Sequence, residues 1–445
     1  MRLFLLELAW TGRGLERRVL LEEAEGRIEE LTRLGDRAAP QGALVCSGLT
    51  IPGLANAHSH CFHRALRGRT EAPAAPDFWS WREQMYHLAG TLTPHSYHRL
   101  ARAVFGEMAL ADITTVGEFH YLHHDPVGTP YPRQEMEAAL IAAADEAGVR
   151  LTLLDTCYLR PGFGPGPLEG AAARFSDGDP QAWIRRVERL PEGPNLKIGA
   201  AAHSVRALDE RAIRVVAAWA RERQAPLHLH LSEQVAENEA CLSATGRTPT
   251  GLLARVGALG PTTTAVHAIH LSDADIAVLG GSGTGVCVCP TTERDLADGV
   301  CPARALADAG SPLSLGTDSN AVVDIFEEAR AVELDQRLVS HRRGLHSAEA
   351  LLAAATVGGA RALGWDAGVL EPGRLADFVT LDLESPRLAG AGEIDLIPRV
   401  IYAASPADVR SVVVGGETVV REGRHIRLGA VGPLLAQVLT EVGHE

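Results

Sequence analysis

The stretch IPGLANAHSHCFHRAL, residues 51–66, places three histidines within six positions, directly after an apolar run bounded by Pro and Gly. His58 and His60 are spaced i, i+2, so on an extended strand both imidazoles point to the same face. That geometry suits a metal ion, but an HxH pair occurs for other reasons too. The rest of the chain therefore has to decide what this stretch does.

Seven further apolar runs resemble this one, because each ends in polar residues and is followed by a helical pattern. Such alternation is typical of repeated β/α units, and eight of them over about 320 residues predict a TIM-like (β/α)8 barrel of the α/β class. Barrel enzymes carry their chemistry at the C-terminal ends of the strands, which is where these polar residues gather. The seven runs are ADITTVGEFHY (111–121), VRLTLLDTCYL (149–159), NLKIGAAAHSVRAL (195–208), APLHLHLSEQ (225–234), TTAVHAIHLS (263–272), GTGVCVCPTTE (283–293) and SPLSLGTDSN (311–320).

The two ends of the chain have a different texture from the middle. Short alternating segments fill the first 50 residues, and GGETVV with REGRH near the end predicts two strands joined by a turn. We therefore predict a barrel over residues 51–370 and one small discontinuous β-sandwich domain formed by residues 1–50 and 371–445.

Composition excludes several classes of protein. The net charge is −14 and Lys197 is the single lysine, so we expect no binding to nucleic acid or to anionic membranes. No apolar run reaches about 18 residues, so no transmembrane helix is expected. Seven scattered cysteines make no disulfide framework, and Cys287 and Cys289 fit a buried strand better than a metal site. We expect a cytoplasmic protein.

The strand ends together offer a set of metal ligands. His58 and His60 follow strand 1, His230 strand 5, His267 strand 6 and Asp318 strand 8. Catalytic zinc prefers nitrogen and carboxylate ligands with one position left open for water. Five such residues at one end of a barrel point jointly to a metal-dependent hydrolase.

Single members of this set have alternatives. His228 points the same way as His230, so one of the two is structural, and His270 competes with His267. Asp318 alone is an equally good cap for the next helix.

Two further residues bear on the chemistry. Glu233, three residues after His230, is either a solvated glutamate or a proton shuttle beside an activated water. Lys197 lies six residues before His203, hence roughly 20 Å from the catalytic end of its strand, and cannot bridge two metals there. We predict one metal ion per chain.

The pattern of HxH after strand 1, HxxE after strand 5, His after strand 6 and Asp after strand 8 resembles the mononuclear aminohydrolase branch of the amidohydrolase superfamily. Longer segments narrow the resemblance to the formimidoylglutamate deiminase family. They are HSHCFHRALRGRTE (58–71), DFWSWREQMY (77–86), GEFHYLHHDPVGTPY (117–131), HSVRAL (203–208), HLSEQ (230–234), CPTTERDLADG (289–299) and GTDSN (316–320).

This resemblance implies roles for residues at matching positions. The family pattern has Gln where this chain has His63, which is then a hydrogen-bond donor in the pocket and no metal ligand. The implied ligands of a single zinc ion are His58, His60, His230 and Asp318; the implied groups that act on the water and the leaving group are Glu233, His267 and Asp318; and those that hold the substrate carboxylates are Arg82, Tyr121, His203 and Arg206.

The implied activity is zinc-dependent hydrolysis of N-formimino-L-glutamate to N-formyl-L-glutamate and ammonia in histidine degradation, by a homodimer. Two arginines suit this small dianionic amidine, since each can grip a carboxylate in bidentate fashion. Arg82 also fits a packed surface arginine beside Trp79 and Trp81. The alternatives are an aminohydrolase that deaminates a purine, a pterin or a related heterocycle, and a barrel that has lost its chemistry.

Overall fold

The computed structural model describes residues 1–70, 78–164 and 166–442, and over these ranges the chain forms sixteen strands in two sheets. In chain order the strands are β1 (Arg2–Thr11), β2 (Gly14–Ala24), β3 (Arg27–Arg33), β4 (Leu44–Pro52), β5 (Leu54–Ser59), β6 (Ile113–His120), β7 (Arg150–Cys157), β8 (Leu196–Ser204), β9 (Leu227–Leu231), β10 (Thr263–His267), β11 (Gly285–Val288), β12 (Leu313–Leu315), β13 (Phe378–Leu381), β14 (Val409–Val414), β15 (Glu417–Arg421) and β16 (Arg424–His425).

Strands β5 to β12 form the barrel. They pair in sequence order, and every pair is parallel. The ring closes where Ser59 of β5 bridges Asp318, just beyond β12, in parallel register. All eight strands predicted from the sequence are present, so the prediction of a TIM-like barrel is confirmed.

Helices follow the strands and cover the barrel. Helix α8 shows what fixes the two ends of such a helix. It begins at a reciprocal capping box between Ser272 and Asp275, and it ends at Gly283, which has φ 68°. No helix within the described ranges is long and apolar enough to cross a membrane. The helices are α1 (Phe78–Thr91), α2 (Pro94–Leu110), α3 (Glu135–Ala147), α4 (Pro180–Val187), α5 (Glu210–Glu222), α6 (Val235–Thr245), α7 (Pro249–Val256), α8 (Asp273–Ser282), α9 (Pro290–Asp295), α10 (Ala303–Ala309), α11 (Ile325–Ser340), α12 (Ala348–Ala353), α13 (Gly359–Ala362), α14 (Leu396–Ala403) and α15 (Val431–Glu441).

The second sheet joins the two ends of the chain. Its strand order is β16-β15-β14-β13-β4-β1-β2-β3, so strands from both ends lie side by side, and β15 with β16 is the predicted C-terminal hairpin. Phe4 and Phe378 meet edge to face, with ring centroids 5.1 Å apart, in a separate hydrophobic core. The prediction of a small discontinuous β domain beside the barrel is therefore confirmed.

The small sheet is fastened to the barrel in two ways. Only Gly53 separates β4 of the sheet from β5 of the barrel. The buried guanidinium of Arg150, at the start of β7, donates from Nε and Nη2 to the two carboxylate oxygens of Asp377 at 2.7 and 3.0 Å. A buried bidentate ion pair of this kind is costly to break, so the two parts hold a fixed relation.

Close approach at the barrel seam requires a glycine. A Cβ atom on Gly316 would lie 2.8 Å from the carbonyl oxygen and 2.9 Å from the amide nitrogen of His58. The backbone beyond β12 can therefore approach β5 only because residue 316 has no side chain.

Candidate active site

Barrel closure brings the two ends of the predicted ligand set together. The amide of Asp318 donates to the carbonyl of His58 and the amide of His60 donates to the carbonyl of Asp318, both at 2.9 Å. The side chains meet as a result, because Oδ1 of Asp318 lies 3.3 Å from Nε2 of His58 and 3.4 Å from Nε2 of His60.

His230, near the C-terminal end of β9, completes this cluster. Its Nε2 atom lies 3.2 Å from Nε2 of His58 and 3.4 Å from Nε2 of His60. The opposite ring nitrogens have fixed partners: Nδ1 of His60 donates to the carbonyl of Phe119 at 2.8 Å, and Nδ1 of His230 donates to that of His203 at 3.0 Å. With the proton held on Nδ1, each Nε2 presents a lone pair to the centre of the cluster.

The donor set fits a metal ion. One ligand atom from each of His58, His60, His230 and Asp318 lies within 4.8 Å of the others, and all four residues are buried. Burial lowers the pKa of the three histidines, so they are neutral. Burial by itself would raise the pKa of Asp318, but the neighbouring histidines outweigh burial and hold this pKa well below its usual range. The Nε2 lone pairs of His60 and His230 and the carboxylate of Asp318 repel one another unless a cation lies between them, and three imidazole nitrogens with one carboxylate oxygen suit zinc.

A second group of ionisable residues borders the cluster. Nε2 of His267 lies 3.7 Å from Oε1 of Glu233 and 3.8 Å from Oδ2 of Asp318, while its Nδ1 faces Oε1 of Glu293 at 3.3 Å. Burial lowers the pKa of His267, but these three carboxylates outweigh burial and raise it well above its usual value. His267 has φ 69° and Asp318 has φ 44°, and such left-handed backbone outside glycine is typical of functional sites.

A pocket of about 60 Å³ opens onto this group. All residues predicted to bind the substrate line this pocket, and so do all predicted metal ligands and catalytic residues but one. The exception is His58, which lies behind His60 and His230. The residues predicted from the sequence that line it are His60, His63, Arg82, Tyr121, His203, Arg206, His230, Glu233, His267 and Asp318.

His63 is not a member of the ligand cluster, although its ring centroid lies 4.6 Å from that of His60. Its Nε2 atom is 2.9 Å from the hydroxyl of Tyr121, and its ring packs edge to face on Trp81 at 5.1 Å. Burial lowers the pKa of His63 to about 3, so the ring is neutral. The third histidine of the opening stretch therefore serves the wall of the pocket.

The two arginines of the pocket have different surroundings. Nε of Arg82 donates to the hydroxyl of Tyr86 at 2.7 Å, and Nη2 lies 3.4 Å from that of Tyr158. Arg206 makes no hydrogen bond or ion pair within the described ranges. Although burial opposes it, the hydroxyl of Tyr158 and the carboxyl of Glu237 help to raise the pKa of Arg206, so its charge is permanent.

The structure also resolves the alternatives that the sequence left open. Nε2 of His228 donates to the carbonyl of Ala362 at 2.9 Å, so His228 is the structural member of its pair. His270 is absent from both the ligand cluster and the pocket lining. Lys197 lies at the N-terminal end of β8 with Nζ 5.0 Å from the ring of Trp365, and it makes no contact with the ligand cluster.

Sequence reasoning missed some of the pocket wall and one orienting carboxylate. Tyr158 directly follows β7, and its ring lies 4.1 Å from that of His203. The sequence indicates Glu293 only as the last residue of an apolar run. In the structure its carboxylate also accepts a hydrogen bond from the amide of Cys289 at 2.9 Å. For both Tyr158 and Glu293, the signal in the sequence that could have indicated a role in the site was their position at the end of an apolar run. Trp81, Met85 and Tyr86 belong to the segment FWSWREQMY, which the resemblance already implied as pocket lining, and the lining residues missed altogether are Tyr158 and Leu296.

A second buried cluster lies beside the pocket, where His120, His123 and Glu137 bring ligand atoms within 4.8 Å. A cation already occupies this position, because Nη1 of Arg186 lies 2.8 Å from Oε1 of Glu137 and 2.8 Å from Oδ2 of Asp155. Burial raises the pKa of Glu137, but donors from the two histidines and Arg186 hold it well below its usual range. This cluster neutralises buried carboxylates beneath the segment that carries Tyr121.

The fold and this site define the class of protein. Residues 49–419 match the amidohydrolase family, and the chain belongs to it. It is therefore a hydrolase of the amidohydrolase type, and the predicted superfamily is confirmed.

Particular relatives narrow the likeness. The chain is 35% identical to formimidoylglutamate deiminase of Pseudomonas aeruginosa, with 98% of each chain covered. It is 31% identical to 8-oxoguanine deaminase of the same species, with 93% of this chain and 92% of that protein covered. A 5-methylthioadenosine/S-adenosylhomocysteine deaminase of Natronomonas pharaonis is 30% identical, with 92% and 90% covered.

Solved structures agree on the fold. An amidohydrolase from Brucella melitensis is 33% identical and superposes with a TM-score of 0.92, covering 99% of this chain and 100% of that one. An adenosine deaminase from Xanthomonas campestris with bound zinc is 24% identical with a TM-score of 0.85, covering 100% and 98%, and shows the fold alone.

The Arg186 network yields a prediction about stability. Arg186→Leu should lower the free energy of unfolding by about 3–5 kcal/mol, because removing the cation leaves buried carboxylates unpaired. Urea denaturation followed by circular dichroism measures this. Arg214→Leu is the matched control: it removes an exposed pair with Glu210 at 3.1 Å and should cost less than about 1 kcal/mol. Equal losses in the two variants would contradict the assignment.

Proposed function

We propose that this protein hydrolyses N-formimino-L-glutamate to N-formyl-L-glutamate and ammonia, a step of histidine degradation. The observation that carries the proposal is that two arginines, Arg82 and Arg206, line the same pocket as the ligand cluster. The relative with 35% identity over 98% of the chain carries the same activity in its name.

The arginines account for the two carboxylates of this substrate. Arg206 has no fixed partner in the described part of the chain. Its guanidinium is permanently charged and partly buried in the pocket wall, so a bound carboxylate would stabilise it. The guanidinium of Arg82 is oriented by the hydroxyls of Tyr86 and Tyr158. An oriented planar guanidinium binds a carboxylate through two parallel hydrogen bonds.

We propose that His58, His60, His230 and Asp318 hold one zinc ion. When bound, zinc supplies Lewis-acid activation of a water molecule. The neutral histidines and the ionised Asp318 are in the protonation states that metal binding requires.

The bordering group then moves the protons. Asp318 accepts a proton from the water that attacks the formimino carbon. His267, whose raised pKa keeps its ring protonated, orients this water by hydrogen bonding, and Glu293 holds the ring in place through Nδ1. Glu233 transfers a proton to the departing nitrogen. The net reaction consumes one water, replaces the C=N bond by C=O and releases ammonia.

One observation favours a second candidate, the deamination of a purine, a pterin or a related heterocycle. The rings of Trp81, Tyr86, Tyr121 and Tyr158 line the pocket, and aromatic walls can stack a planar base. Relatives named as deaminases of 8-oxoguanine and of methylthioadenosine agree with it. A heterocycle, however, carries no carboxylates for the two guanidinium groups to bind, so we rank it second.

The zinc proposal predicts stoichiometry. Metal analysis of the purified protein should give one zinc ion per chain, and His58→Ala should remove it, because the remaining three ligands form an incomplete site. His228→Ala is the matched control, since that ring donates to the backbone carbonyl of Ala362 and is not part of the ligand cluster. Two tightly bound ions per chain would contradict the proposal.

The substrate proposal predicts which compound is turned over. Ammonia release should be fastest with N-formimino-L-glutamate in a panel that includes adenine, guanine, 8-oxoguanine, methylthioadenosine and a pterin. Glu233→Gln should keep the metal and lose turnover by a factor of about 10² or more, the usual scale for a general acid. Faster release from a heterocycle would establish the second candidate instead.

The assignment of the two arginines to the substrate carboxylates predicts that replacing either arginine lowers catalytic efficiency. Arg82→Lys and Arg206→Lys should each lower kcat/KM for N-formimino-L-glutamate by about 10- to 100-fold, because an ammonium lacks the planar fork and a charge-assisted hydrogen bond contributes about 1.5–3 kcal/mol. Arg214→Lys, on the exposed face of α5, should leave kcat/KM unchanged. Wild-type values in both pocket variants would refute the role of the arginines.

A further inference from the structure

Three buried side chains form a hydrogen-bonded chain at the barrel seam. The amide of Asn56 donates to the hydroxyl of Thr317 at 2.6 Å, and this hydroxyl donates to Oδ1 of Asn320, also at 2.6 Å. Oδ1 of Asn56 accepts from the backbone amide of Thr317 at 2.9 Å. All three residues are fully buried, so the first strand and the segment after the last strand are joined without water.

The far end of this chain reaches the backbone of two metal-ligand residues. Nδ2 of Asn320 lies 3.0 Å from the carbonyl of His60 and 3.1 Å from the carbonyl of Asp318. The same nitrogen lies 3.2 Å from the hydroxyl of Ser59, which sits between His58 and His60. One side-chain amide therefore holds both sides of the seam at the level of the ligand cluster.

The segment that Asn320 holds has little regular structure of its own. Strand β12 ends at Leu315, three residues before Asp318. Asp318 has φ 44° and Asn320 has φ 56°, a left-handed conformation that costs most residues free energy and that asparagine tolerates best after glycine. Arg67 adds hydrogen bonds from Nε and Nη2 to the carbonyl of Asn320 at 3.2 and 2.7 Å. These side-chain hydrogen bonds therefore fix the stretch together with the single β-bridge between Asp318 and Ser59.

We infer that Asn320 is a positioning residue of the metal centre. It belongs neither to the ligand cluster nor to the lining of the pocket. Its amide sets the spacing between the backbones of His60 and Asp318 and thereby the geometry in which their side chains meet. Partners beyond the ligands typically change metal affinity by about 10- to 100-fold. This inference rests on the proposed metal centre and is independent of which substrate the enzyme uses.

Asn320→Ala is the direct test. The dissociation constant for zinc, measured by competition with a chelator, should rise by about 10- to 100-fold, since the carbonyls of His60 and Asp318 lose their shared donor. Asn320→Asp should lose at least as much, because it replaces the donor by a carboxylate oxygen that faces two carbonyls. The visible spectrum of the cobalt-substituted protein should shift in both variants, since its bands report ligand geometry.

Thr152→Val is the matched control for a purely structural role. Thr152 is fully buried on β7 at the opposite end of the barrel, where its hydroxyl donates to the carbonyl of Leu363 at 2.9 Å and accepts from Nε1 of Trp365 at 2.8 Å. Its removal should lower stability to urea while leaving the zinc dissociation constant and the cobalt spectrum at wild-type values.

Two results would overturn the inference. One is Asn320→Ala with wild-type zinc affinity and cobalt spectrum, whatever its stability. The other is a wild-type protein that binds no zinc, which would also remove the metal centre itself. Should Asn320→Ala fail to fold, Thr317→Val, which removes only the hydroxyl that orients the Asn320 amide, supplies the same comparison. A wild-type protein that binds zinc but ignores N-formimino-L-glutamate would refute the proposed substrate and leave this inference standing.

Discussion

The contact between the first and last strands of the barrel is the constraint on which the rest of this structure depends. His58 and His60 stand on one side of the seam and Asp318 on the other, so the ligand cluster exists only when the barrel is closed. The close fit requires Gly316, whose missing side chain leaves room for the backbone of His58. Closure and metal binding are consequently linked, since an ion held by residues from both strands stabilises the closed barrel in return.

Electrostatics divide the pocket into two regions with different tasks. Around the cluster, burial keeps histidines neutral, and carboxylates surround the one histidine, His267, whose pKa is raised. Arg82 and Arg206 make the remaining wall cationic. The proposed substrate is divided in the same way, with two carboxylates at one end and a nitrogen-rich carbon at the other. A chain with net charge −14 attracts such a dianion only through this local arrangement of arginines.

Much of the barrel and the ligand set follows from the sequence, because alternating β/α patterns and polar strand ends are local signals. The ligand residues could be named since each stands where a parallel strand ends. Local signals did not separate His228 from His230, whose side chains leave β9 on the same side; the distinction arises from the carbonyl of Ala362, far away in sequence. Tyr158 directly follows β7 and Glu293 lies in α9, the helix after β11, and only the folded pocket shows that their side chains reach His203 and His267.

The position of β4 has a consequence for how the chain is made. This strand leads directly into the barrel, yet in the small sheet it lies between β1 and β13, which comes from residues 378–381. A nascent chain emerging from the ribosome therefore carries β4 with one edge unpaired until almost the whole polypeptide has been synthesised. Exposed strand edges invite pairing with other chains. The final assembly of this protein is accordingly a late event, and the earlier parts of the chain depend on protection until it occurs.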